Sequence, residues 1–127
     1  MQTVKIQLDG VKYEAQAGET ILDVARRNGL GERIPTLCHE PGLPPYTSCY
    51  VCVVEVQGMG KLMPACSTPV AEGLVVDTRN ARVESARKTA LELLLSNHPA
   101  DCIAPCVRGC PAGVDAQRYI ALAKQGQ

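Results

Sequence analysis

The chain has 127 residues, and its 13 basic side chains balance its 13 acidic ones. This balance argues against a basic surface for nucleic acid, and no apolar run approaches the roughly 20 residues that a membrane span needs. With no Trp, no Phe and seven Cys, the chain has to build a small aliphatic core, enough for one domain and a short appendage.

The first thirty residues predict a β-hairpin followed by a helix. Asp9-Gly10 is a strong two-residue turn signal, Thr20 is a good N-cap, and Gly29 and Gly31 end the helix. Apolar residues alternate at the strand period in two runs: Val4, Ile6 and Leu8, then Val11, Tyr13 and Ala15. The buried side of the helix is predicted to carry Ile21, Leu22, Val24 and Ala25.

Further strands are predicted beyond a proline-rich loop. Residues 35–48 contain four prolines and no periodicity, which indicates a loop. Strands are predicted at 51–56 and 61–63, and a short last strand at 74–76. Two strands, a helix, a loop and more strands around one sheet predict an α+β domain over residues 1–78.

Residues 79–127 predict a second segment made of a helix, a His/Cys-rich loop and a C-terminal helix. The first helix spans 79–97, with Asp77 or Thr78 as its cap, and the final helix spans about 115–124. Helical spacing predicts a buried side formed by Val83, Ala86, Ala90, Leu91, Leu94 and Leu95. The opposite side would carry mostly Arg82, Glu84, Arg87, Lys88 and Glu92.

Four cysteines form the most informative motif of the chain. Ten residues separate Cys38 from Cys49, two separate Cys49 from Cys52, and thirteen separate Cys52 from Cys66. Four thiolates with one tight C-x2-C can hold a [2Fe–2S] cluster, as the related C-x4-C-x2-C…C spacing does in plant-type ferredoxins. Such a cluster accepts and returns one electron, so the motif favours electron transfer.

Disulfides and zinc are the alternatives for these cysteines. The first twenty residues lack a charged start followed by an apolar run, which favours a reducing, cytoplasmic location. The odd number of cysteines also fits poorly with a closed disulfide framework. Zinc accepts four thiolates too, but structural zinc usually uses two short cysteine pairs where this quartet has one. A structural zinc-binding interaction domain is therefore the alternative to an iron–sulfur module.

A second group of ligands follows the 79–97 helix. His98, Cys102, Cys106 and Cys110 fall four residues apart, and Pro111 follows the last. Three closely spaced cysteines ending in Cys-Pro are a common iron–sulfur arrangement, in which the cysteine before Pro ligates the other cluster of two-cluster ferredoxins. We predict a second cluster here, a [4Fe–4S], while zinc also suits three cysteines and a histidine.

Each of the two histidines has an ordinary alternative. His98 would complete the second set of four ligands, but an imidazole at a helix end is also favoured by the helix dipole. His39 directly follows Cys38, so it could donate to a cluster sulfur or be an ordinary loop residue. The residue types alone leave both alternatives open.

These motifs carry a family resemblance. IPTLCHEPGL, SCYVCVVEV, PACSTPV and the later LLLSNHPADC resemble the [2Fe–2S] domain that begins the large iron–sulfur subunit of respiratory complex I. The same domain begins iron-only hydrogenases and NAD-linked formate dehydrogenases. The resemblance implies a ferredoxin-like β-grasp fold for residues 1–78.

The second group departs from that pattern. In the hydrogenase and complex I relatives a His-x3-Cys-x2-Cys-x5-Cys run binds a [4Fe–4S] cluster, but Pro105 and Pro111 stand where its last two cysteines would be. Instead, CIAPCVRGCPAGVDAQRYIALAKQG resembles the start of the glutamate synthase small-subunit family. In that family FAD- and NADPH-binding domains follow, and the cysteine matching Cys110 belongs to a second cluster completed by a later region.

Together these features predict an electron-transfer component without a catalytic site of its own. The chain contains no G-x-G-x-x-G and no paired catalytic carboxylate. We expect it to relay single electrons between a flavin- or NAD(P)-linked reductase and a partner redox centre, as a small subunit or the N-terminal part of a larger oxidoreductase. The flavoprotein would dock near residues 102–123, and Tyr119, Ile120 and Leu122 are candidate contacts, unless they pack against the 79–97 helix.

Overall fold

The computed structural model describes residues 3–98 and 103–126. The chain divides into two compact units, Met1–Asn97 and His98–Gln127.

The first unit is built on a five-stranded mixed sheet in the order β2-β1-β5-β3-β4. Strand β1 runs parallel to β5, and the other neighbouring strands are antiparallel. The strands are β1 (Thr3–Leu8), β2 (Val11–Gln16), β3 (Val53–Val56), β4 (Leu62–Pro64) and β5 (Val75–Asp77). With helix α1 between β2 and β3, this is the ferredoxin-like β-grasp arrangement, so the expected α+β fold is confirmed.

The predicted hairpin and first helix are confirmed. Strands β1 and β2 meet at the predicted turn, where Asp9 and Gly10 have φ of +49° and +85°. Helix α1 (Ile21–Arg27) starts with a capping box, in which Asp23 N donates to Thr20 Oγ1 at 3.2 Å and Thr20 N donates to the Asp23 carboxylate at 3.0 Å. Its four predicted core residues are buried. Instead of simply ending the helix, Gly31 begins a 3₁₀ turn, Gly31–Arg33.

The later strands start one or two residues after the predicted positions. Strand β3 begins at Val53 rather than residue 51, because Tyr50 turns the chain with a left-handed φ of +54° and residues 51–52 complete that turn. Strands β4 and β5 are each displaced by one residue. These shifts place Cys52 immediately before β3 and Cys66 shortly after β4.

The predicted cap of helix α2 (Ala81–Ser96) is wrong. Asn80 is the N-cap, and its side chain accepts from Val83 N at 2.9 Å. Asp77 accepts from Arg79 N at 3.0 Å in the preceding turn. Thr78 is buried and its N–H and hydroxyl donate to the Asp9 carboxylate at 2.7 and 2.6 Å. Asp77 therefore bonds within the β5–α2 connection, whereas Thr78 links that connection to the β1–β2 turn.

The Asp9 carboxylate joins three parts of the sheet domain. It accepts from Thr78 at the end of β5 and pairs with Arg33 of the 3₁₀ turn at 2.9 Å. Burial raises the pKa of Asp9, but the hydrogen bonds from Thr78 and the pairing with Arg33 outweigh that effect and lower it overall. The carboxylate thereby holds Arg33 just before the proline-rich loop, residues 35–48, that carries Cys38.

The predicted buried side of α2 is confirmed at Val83 but wrong for the leucines and for Arg87. Only Val83 and Arg87 are buried among its residues, while Leu91, Leu94 and Leu95 are 40, 39 and 72% exposed. A 16-residue helix is about 24 Å long, whereas the four residues of β3, against which α2 packs, cover only about 13 Å. The sheet therefore covers the first half of α2 alone.

Helix α2 groups with the sheet in the first compact unit, which extends to Asn97. The domain boundary after residue 78, expected from the order of the predicted strands and helix, stays a prediction.

The second unit contains two helices in its described part, α3 (Pro105–Arg108) and α4 (Ala116–Lys124). The predicted His/Cys-rich loop therefore contains one helical turn, α3. Pro105 lies in the first turn of α3, where the missing N–H of proline has no helical partner to lose. The predicted C-terminal helix is confirmed, with Asp115 as its cap, accepting from Arg118 N at 3.0 Å. None of the described helices combines the length and the apolar character needed to cross a membrane.

Candidate metal centre

The sheet domain brings the quartet to one end of the β3–β4 hairpin. Cys49, Cys52 and Cys66 are buried, at 7, 2 and 1% exposure, and Cys38 is half-buried. The hairpin register pairs Val53 with Pro64, and Ala65 N donates to Cys52 O at 3.1 Å. This register places Cys52 beside Cys66, although thirteen residues separate them in the chain.

Cys52 and Cys66 form a thiol pair suited to one metal ion. Their Sγ atoms are 3.5 Å apart. Two thiolates on a tetrahedral ion with metal–sulfur bonds of about 2.3 Å would lie about 3.7 to 3.8 Å apart. Cys52 and Cys66, the inner pair, therefore need only a small adjustment of their sulfur positions to share one ion.

Cys38 and Cys49 form a second, outer pair. The Cys49 N–H donates to Cys38 Sγ, and together with hydrogen bonds from the Cys49 thiol and from Ser48 it lowers the pKa of Cys38 to about 7. Burial has the opposite effect on Cys52 and raises its pKa to about 11, although the hydrogen bond from the Cys66 N–H opposes this rise. A binuclear cluster needs two thiolates on each of two iron ions, and two neighbouring pairs match that requirement.

His39 carries an unpartnered polar atom beside this site. Its Nδ1 is buried and has no hydrogen-bond partner among the described residues. A buried nitrogen without a partner is unfavourable, and a cluster sulfur near Cys38 would supply an acceptor. The donor set and this nitrogen both fit a bound iron–sulfur cluster.

The pKa of Cys38 predicts how the metal-free chain reacts with alkylating agents. Iodoacetamide should modify Cys38 before Cys52, because the thiolate is the nucleophile and Cys52 is buried with a raised pKa. Since the pKa of Cys38 is lowered to about 7, its alkylation rate should rise with pH around a midpoint near 7. Peptide mass spectrometry after timed alkylation at several pH values measures this. Equal rates at Cys38 and Cys52 would contradict the prediction.

The second predicted set is only partly described. Cys102 lies outside the described residues, Cys106 is exposed and Cys110 is half-buried. The N–H groups of Val114, Ala112 and Gly113 donate to Cys110 and lower its pKa. Such a loop favours the thiolate, the form that binds metal.

Neither predicted set closes around a single ion in the described residues. Across residues 3–98 and 103–126, no three His, Cys, Asp or Glu side chains are placed to hold one metal ion together. The quartet is seen as two pairs, and both complete ligand sets stay predictions.

The sequence comparison decides the family. Residues 1–81 match the model of the 2Fe-2S iron-sulfur cluster binding domain. The chain belongs to this family. The resemblance found in the cysteine motifs is thereby confirmed, and the matched range includes all four cysteines of the quartet.

Two proteins similar to this 2Fe-2S domain protein are subunits of NADH- or NADP-linked enzymes. This chain is 44% identical over 99 residues to a subunit of an NADH-quinone oxidoreductase of Rhizobium meliloti, and the match covers 78% of this chain and 11% of the relative. It is 43% identical over 126 residues to the HndD subunit of an NADP-reducing hydrogenase of Solidesulfovibrio fructosivorans, covering 94 and 21%. The chain thus spans about a fifth or less of the length of these relatives.

A solved structure supports the same fold. The crystal structure of an NAD+-reducing [NiFe]-hydrogenase in the H2-reduced state has a chain that superposes on this one with a TM-score of 0.67 and 31% identity. The match covers 76% of this chain and 41% of the hydrogenase chain.

Arg87 is a residue of the site that the sequence prediction missed. Predicted on the solvent side of α2, it is only 9% exposed and donates to Val53 O, next to Cys52, from Nε at 3.2 Å and Nη2 at 2.8 Å. The sequence contains a signal for this burial, because Arg87 follows the buried Val83 by four residues and therefore lies on the same face of the helix.

Proposed function

We propose that this 2Fe-2S domain protein is an electron-transfer module in which Cys38, Cys49, Cys52 and Cys66 hold a [2Fe–2S] cluster. It would relay single electrons between a flavin- or NAD(P)-linked reductase and a partner redox centre. The observation that carries the proposal is the arrangement of the quartet as two neighbouring thiol pairs within this family's fold.

The chain's own groups would bind and tune the cluster. The four thiolates are the ligands, and the N–H groups of Ser48, Cys49 and Cys66 donate to thiolate sulfurs. Such hydrogen bonds and the burial of three of the four cysteines control the reduction potential. When bound, the cluster supplies one-electron storage, so the protein needs no catalytic side chain of its own.

A second cluster, a [4Fe–4S] bound by His98, Cys102, Cys106 and Cys110, is part of this proposal. The N–H groups directed at Cys110 support a thiolate there.

The proposed partner is a flavoprotein or an NAD(P)-binding domain. The relatives named above are parts of NADH- or NADP-linked oxidoreductases, and the chain matches only a small share of each. On α4, Tyr119 and Ile120 are 56 and 58% exposed and Leu122 is half-buried, which suits a partly apolar contact. The cytoplasmic location stays a prediction.

Metal analysis distinguishes this function from a structural zinc domain, which the Cys52–Cys66 pair would also suit. The protein is purified anaerobically and analysed for iron, acid-labile sulfide and zinc. We expect a brown protein with at least about two iron and two sulfide per chain, and an electron paramagnetic resonance (EPR) signal after reduction. A colourless protein with stoichiometric zinc would refute the electron-transfer function.

A further inference from the structure

Arg87 connects helix α2 to both segments that carry the quartet. Besides the two bonds to Val53 O, its Nη1 donates to Arg33 O at 3.0 Å. Val53 directly follows Cys52, and Arg33 precedes Cys38 by five residues. The guanidinium therefore connects the backbone next to Cys52 with the backbone just before the proline-rich loop, residues 35–48, that carries Cys38.

The guanidinium is buried without a carboxylate partner. All of its hydrogen bonds go to backbone carbonyls, and no described acidic side chain forms an ion pair with it. The neighbouring arginines of this region differ, since Arg82 pairs with Glu55 at 2.6 Å and Arg79 with Glu84 at 3.5 Å. A buried arginine stays charged, and a buried charge without a counter-charge is strongly unfavourable.

The candidate for that counter-charge is the inner cysteine pair, Cys52 and Cys66. Two of the hydrogen bonds from Arg87 go to the carbonyl group of Val53, the residue that directly follows Cys52. The sulfur of Cys52 is 3.5 Å from that of Cys66. Negative charge held by this pair would therefore act on Arg87 through the interior of the protein.

We propose that Arg87 is the buried counter-charge of the [2Fe–2S] cluster and a positioning residue that raises its reduction potential. The inference rests on the proposed function of the quartet. Two ferric ions, two sulfides and four thiolates sum to a net charge of about −2, which becomes about −3 when one electron converts one ferric ion to ferrous. A fixed positive charge stabilises the reduced state more than the oxidised one, because the reduced state carries more negative charge.

The test measures the midpoint potential of Arg87→Gln and Arg87→Lys by dithionite titration monitored by EPR. Arg87→Gln should lower the equilibrium constant for reduction at least tenfold, equivalent to a shift of about 59 mV to more negative potential for a one-electron couple. Arg87→Lys keeps the charge and should stay closer to the wild type. The Arg87→Gln shift should persist at high salt, because buried charges are screened weakly.

Arg82→Gln is the matched control on the same helix. Arg82 is half exposed and already paired with Glu55, so its loss should leave the potential nearly unchanged. A purely structural role of Arg87 would lower the melting temperature of both Arg87 variants without this difference in potential.

The remaining outcomes also decide the proposal. If Arg87→Gln binds no cluster while Arg87→Lys does, a positive charge is needed to hold the anionic cluster, which supports the inference. A wild-type potential in Arg87→Gln, a shift equal to that of Arg82→Gln, or cluster loss in both Arg87 variants would overturn it. Iron and sulfide content of the wild type tests the proposed function separately.

Discussion

Replacing Cys52 with Ala should abolish the [2Fe–2S] EPR signal and loosen residues 35–70. Cys52 is 2% exposed and its Sγ lies 3.5 Å from that of Cys66. Its removal would therefore take away one of the two thiolates that this pair offers to one iron ion of the proposed cluster. Removing a residue that merely supports a ligand costs roughly 10- to 100-fold in metal affinity, and loss of the ligand itself should cost more. Because metal binding is coupled to folding, thermal unfolding should also start at a lower temperature. Cys49→Ala should behave in the same way.

Cys106→Ala provides the control for this experiment. It removes an exposed cysteine of the second unit, so the [2Fe–2S] signal and the unfolding of the sheet domain should remain. Survival of an unchanged [2Fe–2S] signal in both Cys49→Ala and Cys52→Ala would show that the quartet is not the ligand set.

The His98→Ala variant should lose most of the iron bound at the second site. If His98 completes the set with Cys102, Cys106 and Cys110, its loss should lower total iron from about six to about two per chain, the content of one binuclear cluster. Iron and sulfide analysis of anaerobically purified protein measures the change. The [2Fe–2S] EPR signal should persist, because the quartet lies in the other compact unit.

His39→Ala is the matched control for His98→Ala. His39 adjoins Cys38 in the other compact unit, so its removal should leave the iron of the second site in place and affect only the [2Fe–2S] cluster. Wild-type iron content in His98→Ala would instead assign His98 to the helix end, with no role in binding metal.

Local sequence signals predicted the first third of the sheet domain well. The Asp9-Gly10 turn and the alternation of β1 and β2 act between neighbouring residues, and Thr20 caps α1 within one turn. These contacts form within a few residues, so their outcome depends little on the rest of the chain. The final helix, with its cap at Asp115, was predictable for the same reason.

Longer-range packing explains the errors in α2. Helical spacing correctly placed Val83 on the buried side, but it could not show that the sheet covers only the first half of the helix. The leucines of the second half are therefore exposed. Arg87 is buried because Val53 O and Arg33 O, residues 34 and 54 positions away in the chain, accept its hydrogen bonds.

The sequence by itself determined the number, spacing and chemistry of the cysteines, and these were enough to recognise the 2Fe-2S family. Only the tertiary structure decided how the thiols of the quartet pair and which cation is buried beside them. Those features depend on the register between β3 and β4 and on the position of α2 over β3. Both are set by contacts between distant segments, whose geometry no local pattern encodes.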